Sequence, residues 1–162
     1  IGPISTVPDT IVREPMFREP LYLASPVDMD VAPHSNVAES DLSGLEILAV
    51  EKGHTLRREV ERICERTGAR LNTDYEGTSL DTLRQMVVMG MGIAFLPALY
   101  AKSEIRDEKD LRVADVEGVN VMRNHALAWR STSPQRHFYK ELAIEIQNIV
   151  RANLSSIVIP FS

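Results

Sequence analysis

The chain has 162 residues, with 18 basic against 23 acidic side chains, a formal net charge of −5, and 44% hydrophobic residues. That is the composition of a globular chain with core material for one ordinary domain or two small lobes. Apolar stretches such as Met86–Met89 and Ile93–Leu96 are far too short for a membrane span. No basic leader opens Ile1–Thr10, and with Cys64 as the single cysteine no disulfide framework exists. A lone cysteine suits a reducing cytoplasm, the expected location. Basic residues alternate with acids, as in Arg57-Arg58-Glu59-Val60-Glu61-Arg62. Such a pattern reads as a solvated helix face, not as the clustered basic footprint of a nucleic-acid surface.

In chain order, Ile1–Ile4 reads as the end of a strand and Ser5–Thr10 as a loop or hinge. Two strands are expected at Ile11–Phe17 and Leu21–Ala24, with Arg18-Glu19-Pro20 between them. Pro15 and Pro20 place these near an edge or a crossing point. Ser25–Val37, rich in Pro, Asp and Asn, reads as irregular loop, followed by a short helix at Glu39–Ser43 and a buried strand at Glu46–Val50. Leu56, Val60 and Ile63 recur at helical spacing, and Gly68 supplies the stop. After a strand at Leu71–Tyr75, Thr78-Ser79-Leu80-Asp81 has the form of a capping box opening a helix to Met89. Gly92–Leu96 reads as a buried strand with Pro97 starting the next helical turn, and Val113–Val116 and Ala126–Trp129 as later strands. Ser133-Pro134 is expected to cap a long helix to about Ala152, its apolar stripe being Phe138, Leu142, Ile146, Ile149 and Val150. Ile157–Ile159 forms an apolar tail. Alternating strands and helices predict a right-handed α/β arrangement with parallel pairs. The terminal helix has few elements left to cover its stripe.

Three places suggest chemistry. His54-Thr55 opens the first long helix with Arg57 and Arg58 in its first turn, a setting that binds an anion or acidifies a thiol. The plainer reading is Thr55 as a cap and solvated arginines. Thr78 and Ser79, after Gly77, put hydroxyls and free amides at a strand-to-helix crossover, where open α/β sheets bind small ligands. The plainer reading is the capping box alone. Arg130, after the Ala126–Trp129 strand, is a further anion contact or a surface arginine. Cys64, beside the stripe of its helix, reads as a buried structural cysteine. His34, His125 and His137 have no metal-ligand spacing, so neither a metal nor another cofactor is expected. No hydrolase elbow, P-loop or dinucleotide fingerprint is present. A base–nucleophile pair of His54 and Thr55 lacks any third orienting group, so catalysis is not expected.

Several runs then carry a resemblance. Gly53-His54-Thr55-Leu56-Arg57, Ile63-Cys64 and Thr67-Gly68-Ala69 resemble the sensing segment of OxyR-type peroxide sensors. Gly77 to Val87, Met89 to Leu99 and Ala126-Leu127-Ala128-Trp129-Arg130 with Ser133-Pro134 resemble LysR-type effector domains more generally, as does Glu14 to Leu21. The resemblance implies a periplasmic-binding-protein-like α/β fold: residues 6–128 as the effector-binding subdomain II, with 1–5 and 129–162 belonging to subdomain I. It implies a fragment without the first half of subdomain I and without the helix-turn-helix that would contact DNA. It further implies a small-molecule effector, peroxide or a small anion, bound by His54, Thr55, Arg57, Thr78, Ser79 and Arg130, and homo-oligomers of the full-length protein. Cys64 matches the second cysteine of the sensors, a redox candidate, but Thr55 stands where they carry the reactive one. Arg58 stands where they tend to carry an acid. The chain is therefore either a variant locked in the reduced state or a sensor of another small ligand. A periplasmic solute-binding protein for a small anion is the alternative within the same architecture.

Overall fold

The computed structural model describes residues 2–3, 8–29, 36–105, 109, 111–118 and 121–161. Two compact units emerge: unit 1 is Ile1–Pro20 with Met122–Ser162, and unit 2 is Leu21–Val121. The expected subdomain II, 6–128, is longer at both ends than unit 2. The difference is the ladder between residues 11–20 and 122–130, which ties both stretches to unit 1.

In unit 1, β1 (Gly2–Pro3) pairs antiparallel with β8 (Met122–Arg130), which pairs antiparallel with the first part of β2 (Ile11–Pro26). The tail strand β9 (Ile159–Pro160) adds to the other side of β2 at Phe17 and Arg18. Helix α4 (Arg136–Asn153) turns Ala143 and Val150 inward, where Met16, Phe17, Ala126, Trp129 and Val158 are also buried. Of the stripe read from the sequence, Leu142 and Ile146 are half-buried and Phe138 and Ile149 exposed.

β2 is one strand of 16 residues, not the two short strands expected. Both prolines sit where a missing donor is tolerated. Pro15 adjoins a register shift against β8, and at Pro20 the strand leaves β8 for its partners in unit 2. Because β2 continues through Arg18-Glu19-Pro20, Glu19 shares the inward face with Phe17 and Leu21. It is buried, and its carboxylate accepts from Arg123 Nη1 at 3.1 Å and meets His125 Nε2 at 2.7 Å. Phe17 stacks on the His125 ring with centroids 4.6 Å apart.

In unit 2, the strand order is β3 (Asn36–Ala38), β7 (Leu111–Glu117), the end of β2, β6 (Ile93–Pro97), β4 (Glu46–Val50) and β5 (Arg70–Gly77). β4, β5 and β6 run parallel and β2 runs against its neighbours. A 3-10 turn (Glu39–Leu42) precedes β4, and helices α1 (Thr55–Thr67), α2 (Leu80–Val88) and α3 (Ala98–Glu104) follow β4, β5 and β6. β4 and β6 are nearly continuous apolar runs, as a strand covered on both faces requires, and Ile47, Leu48, Ile93, Phe95 and Leu96 are fully buried. Helix α1 covers them with Leu56, Val60, Ile63 and Cys64. Gly68 ends α1 at φ +75, with its amide donating to Cys64 O at 3.0 Å, and a side chain there is strained.

Three other local expectations shift. Residues Ser25, Pro26 and 36–38 are strand, not loop, and 30–35, including His34, lie outside the described residues. Pro8–Thr10 is a turn, whereas Ile1 and Ile4–Val7 lie outside the described residues. Helix α4 begins after Gln135, because Ser133 Oγ accepts from the Gln135 amide in a turn of its own at 3.3 Å.

Removing Glu19 strands the Arg123 guanidinium, which is itself largely buried. Glu19→Ala is expected to cost about 3–5 kcal/mol, and Glu19→Gln less, measured by urea unfolding. Equal stability of Glu19→Ala and the parent chain contradicts this.

Candidate functional site

β4 and β5 pair in parallel up to Val50 and Gly77, and the Glu51 amide donates to Gly77 O at 3.0 Å. Their carboxyl ends therefore finish side by side. From them α1 and α2 start, so the two helix N-termini share one edge of unit 2. The unpaired amides of a first turn and the positive end of the helix dipole make such an edge attractive to anions. Close approach at Gly77 fits this geometry, since an added Cβ there would lie 3.2 Å from the Leu83 backbone nitrogen.

The structure brings His54, Thr55, Thr78 and Ser79 to this edge. His54, not Thr55, is the cap residue of α1, and no side chain caps that helix. Thr55 is the first helical residue, so its hydroxyl is not spent as the cap that the plainer reading required. The His54 ring is half exposed, with Nε2 3.7 Å from Glu51 Oε1. At α2 the cap is Ser79, whose Oγ accepts from the Thr82 amide at 3.1 Å. The box of Thr78 with Asp81 does not form; Asp81 instead accepts from Tyr100 Oη at 2.6 Å. Thr78, Ser79 and Thr82 hydroxyls link at 3.4 and 3.1 Å through Thr82.

Arg57 departs most from the sequence reading. It is buried rather than solvated. Its Nε donates to Glu61 at 2.9 Å, and its Nη1 donates to Glu76 at 2.7 Å and to Val50 O at 3.1 Å. The guanidinium joins the ends of β4 and β5 to the first turns of α1, and two carboxylates hold it in the charged form. Arg57 is thus a brace behind the edge, while Arg58 is exposed. The signal for this was Glu61 one turn on from Arg57; that Glu76 would complete the set was not readable.

Cys64 lies on the buried face of α1, and burial pushes its thiol up to about 11. A group so protonated is a poor nucleophile. It stands nine residues beyond Thr55 in one helix. At about 1.5 Å per residue that is about 13.5 Å along the axis and half a revolution around it. A bond between those positions requires α1 to unwind, because a disulfide spans at most about 7 Å between Cα atoms.

Arg130 belongs to unit 1, at the exposed end of β8. It borders a cavity of about 520 Å³ lined by Leu127, Trp129, Ser133, Tyr139 and Leu142 among others. Among the described residues no group of three or more His, Cys, Asp or Glu is placed to hold a metal. No helix among them is long and apolar enough to cross a membrane.

Residues 1–147 match the family model of the LysR substrate binding domain. The chain belongs to the LysR substrate-binding domain family. Among its relatives, the hydrogen peroxide-inducible genes activator of Pectobacterium carotovorum subsp. carotovorum is 35% identical over 92% of this chain and 49% of that protein. The DNA-binding transcriptional dual regulator OxyR of Escherichia coli K12 is 34% identical over 86% of this chain and 45% of its own length. The chain thus spans about half the length of the curated relatives it matches. A crystal structure of the oxidised form of OxyR superposes with a TM-score of 0.79 at 32% identity, covering 94% of this chain and 72% of that one. The reduced form gives 0.77 at 32% identity, over 90% and 68%. This LysR-family domain therefore has the periplasmic-binding-protein-like α/β fold of the OxyR regulatory domains.

Two outcomes test the site's internal wiring. Arg57→Ala leaves Glu61 and Glu76 facing without their cation. It is expected to destabilise by about 3 kcal/mol, at the low end for a buried pair since both carboxylates keep partial solvent. Denaturant unfolding checks it. For Cys64, the folded thiol holds its proton more tightly than the unfolded one. Stability is therefore full below about pH 8.5, where the unfolded thiol ionises, and falls as pH rises toward about 11. Native-state alkylation of Cys64 by iodoacetamide near pH 8 is expected to be on the order of a hundredfold slower than in urea. Equal rates would show the thiol to be accessible and unperturbed.

Proposed function

We propose that this LysR-family domain is the effector-sensing part of a transcription regulator, and that its effector is a small anion held at the α1 and α2 N-termini. Supporting this reading is one observation above the rest: the shared edge where His54, Thr55, Thr78 and Ser79 gather over two helix N-termini. In this reading Thr78 and Ser79 hydroxyls and first-turn amides donate hydrogen bonds to the anion, with His54 and Arg58 adding positive charge. Arg57 acts only as the brace. Arg130 is proposed as an anion contact on the rim of the unit 1 cavity. The role is binding, not catalysis. The effector-binding subdomain II, expected at 6–128, would be built on unit 2. DNA contact and homo-oligomer formation are assigned to the longer, cytoplasmic regulator. A ligand acts there by binding one of two states more tightly.

A second reading follows from the names of the relatives. A peroxide-inducible activator fold whose position 55 carries a hydroxyl cannot form a sulfenic acid at that position. The chain is then a sensor resting in its reduced arrangement. The family match favours both over a transport solute-binding protein.

The regulator carrying its DNA-binding part, purified reduced, separates the readings. With hydrogen peroxide, native protein is expected to leave DNA binding unchanged, and Thr55→Cys to change it through a bond to Cys64. With small carboxylates and oxyanions, calorimetry is expected to find a binder whose affinity drops about tenfold, ~1.4 kcal/mol, in Thr78→Val. No binder combined with a responsive Thr55→Cys defeats the anion reading and leaves the resting peroxide sensor.

A further inference from the structure

The sulfur of this chain is six methionines and one cysteine, and all seven lie among the described residues. Met16 and Met86 are buried in the cores, Cys64 is buried on the inner face of α1, and Met29, Met91 and Met122 are half-buried. Met89 alone among them is open, at 74% exposed. We propose that Met89 is the chain's oxidation site for hydroperoxides, converted to methionine sulfoxide before any other sulfur reacts.

The position explains the exposure. Met89 is the C-cap of α2, with its amide satisfied by Gln85 O and Val87 O. Gly90 then reverses the chain at φ +76, and the Met91 amide returns to Met86 O at 3.0 Å. The turn buries Met86 and half-buries Met91 against the core, and leaves the side chain between them in solvent. An apolar side chain so placed has no packing role to lose.

The reaction needs only the peroxide. The thioether Sδ attacks one peroxide oxygen and the O–O bond breaks. An S–O bond forms, and the departing hydroxide, or the alkoxide of an organic hydroperoxide, takes up the remaining proton as water or alcohol. Sulfur is oxidised by two electrons and the peroxide reduced by two. The thioether has no proton to lose, so the rate does not follow thiol ionisation. Cys64, by contrast, must ionise to react, and burial pushes its thiol up to about 11. Thr55 offers no sulfur at all. The sulfoxide oxygen at Met89 is solvated where it forms, so the fold tolerates it; the same oxygen on Met86 would sit in the core. The inference uses unit 2 alone and stands whether or not an anion binds at the α1 and α2 edge.

The experiment takes the reduced chain with chelator present, adds limiting hydrogen peroxide or tert-butyl hydroperoxide, and maps sulfoxide by peptide mass spectrometry. Met89 is expected to oxidise on the order of tenfold faster than any other methionine. The rate should be the same near pH 6 and near pH 8, and Cys64 should stay a thiol until Met89 is consumed. In urea the preference is expected to vanish, which assigns it to the fold. Met89→Leu should abolish the first product, and Met89→Gln, which mimics the sulfoxide's polarity, should leave the urea midpoint unchanged. First oxidation at Met91, Met122 or Cys64, protection of Met89, or a preference persisting in urea overturns the assignment.

Discussion

A single buried cation organises the candidate site. Arg57 brings a full positive charge out of water, a cost offset only when carboxylates and a carbonyl meet it in good geometry. Glu61, Glu76 and Val50 O supply those partners, from α1, β5 and β4 respectively. Satisfying one guanidinium therefore fixes where β4 ends, where β5 ends and how α1 departs. The two helix N-termini come to one edge as a consequence, and the polar groups left open there are those not engaged by Arg57.

The same economy governs the redox chemistry. Within one unbroken α1, position 55 has the half-buried, electropositive setting of a helix N-terminus that activates sulfur, and position 64 has the buried, apolar setting that silences it. This chain puts its only cysteine in the second setting and a hydroxyl in the first. The burial pattern leaves the Met89 thioether, at the end of α2, as the most accessible sulfur. Helix pitch alone separates positions 55 and 64 too far for a bond, so a disulfide in Thr55→Cys would exchange α1 for another structure.

Unit 1 repeats the theme of a buried charge fixing a ladder. Glu19 is pinned between Arg123 and His125 on β8 just before β2 changes partners. A one-residue slip of β2 would turn Glu19 outward and leave its partners without a carboxylate. The cluster therefore specifies register at the place where the chain passes from one unit to the other.

Local periodicity made most elements legible from sequence: the apolar runs of β4 and β6, the spacing of Leu56, Val60 and Ile63, and the glycine stop at Gly68 are each written within a dozen residues. The motifs of the LysR family were equally readable, and with them the fold and the absence of a reactive thiol at Thr55. What the sequence could not supply depends on residues distant along the chain. β2 was read as two strands because its prolines look like breaks until β8 and β6 are there to take over the pairing. Glu19 looked like loop until that continuous strand put it inside. Arg57 looked solvated beside Arg58, since only the parallel register of β4 and β5 brings Glu76 within 2.7 Å of it. The capping box was misplaced by one residue for the same reason: Tyr100, nineteen positions on, claims Asp81. Sequence determined most of the helices and strands and which family they build. Tertiary structure alone decided which charges are buried, because a charge is buried only where a partner from elsewhere in the chain arrives to neutralise it.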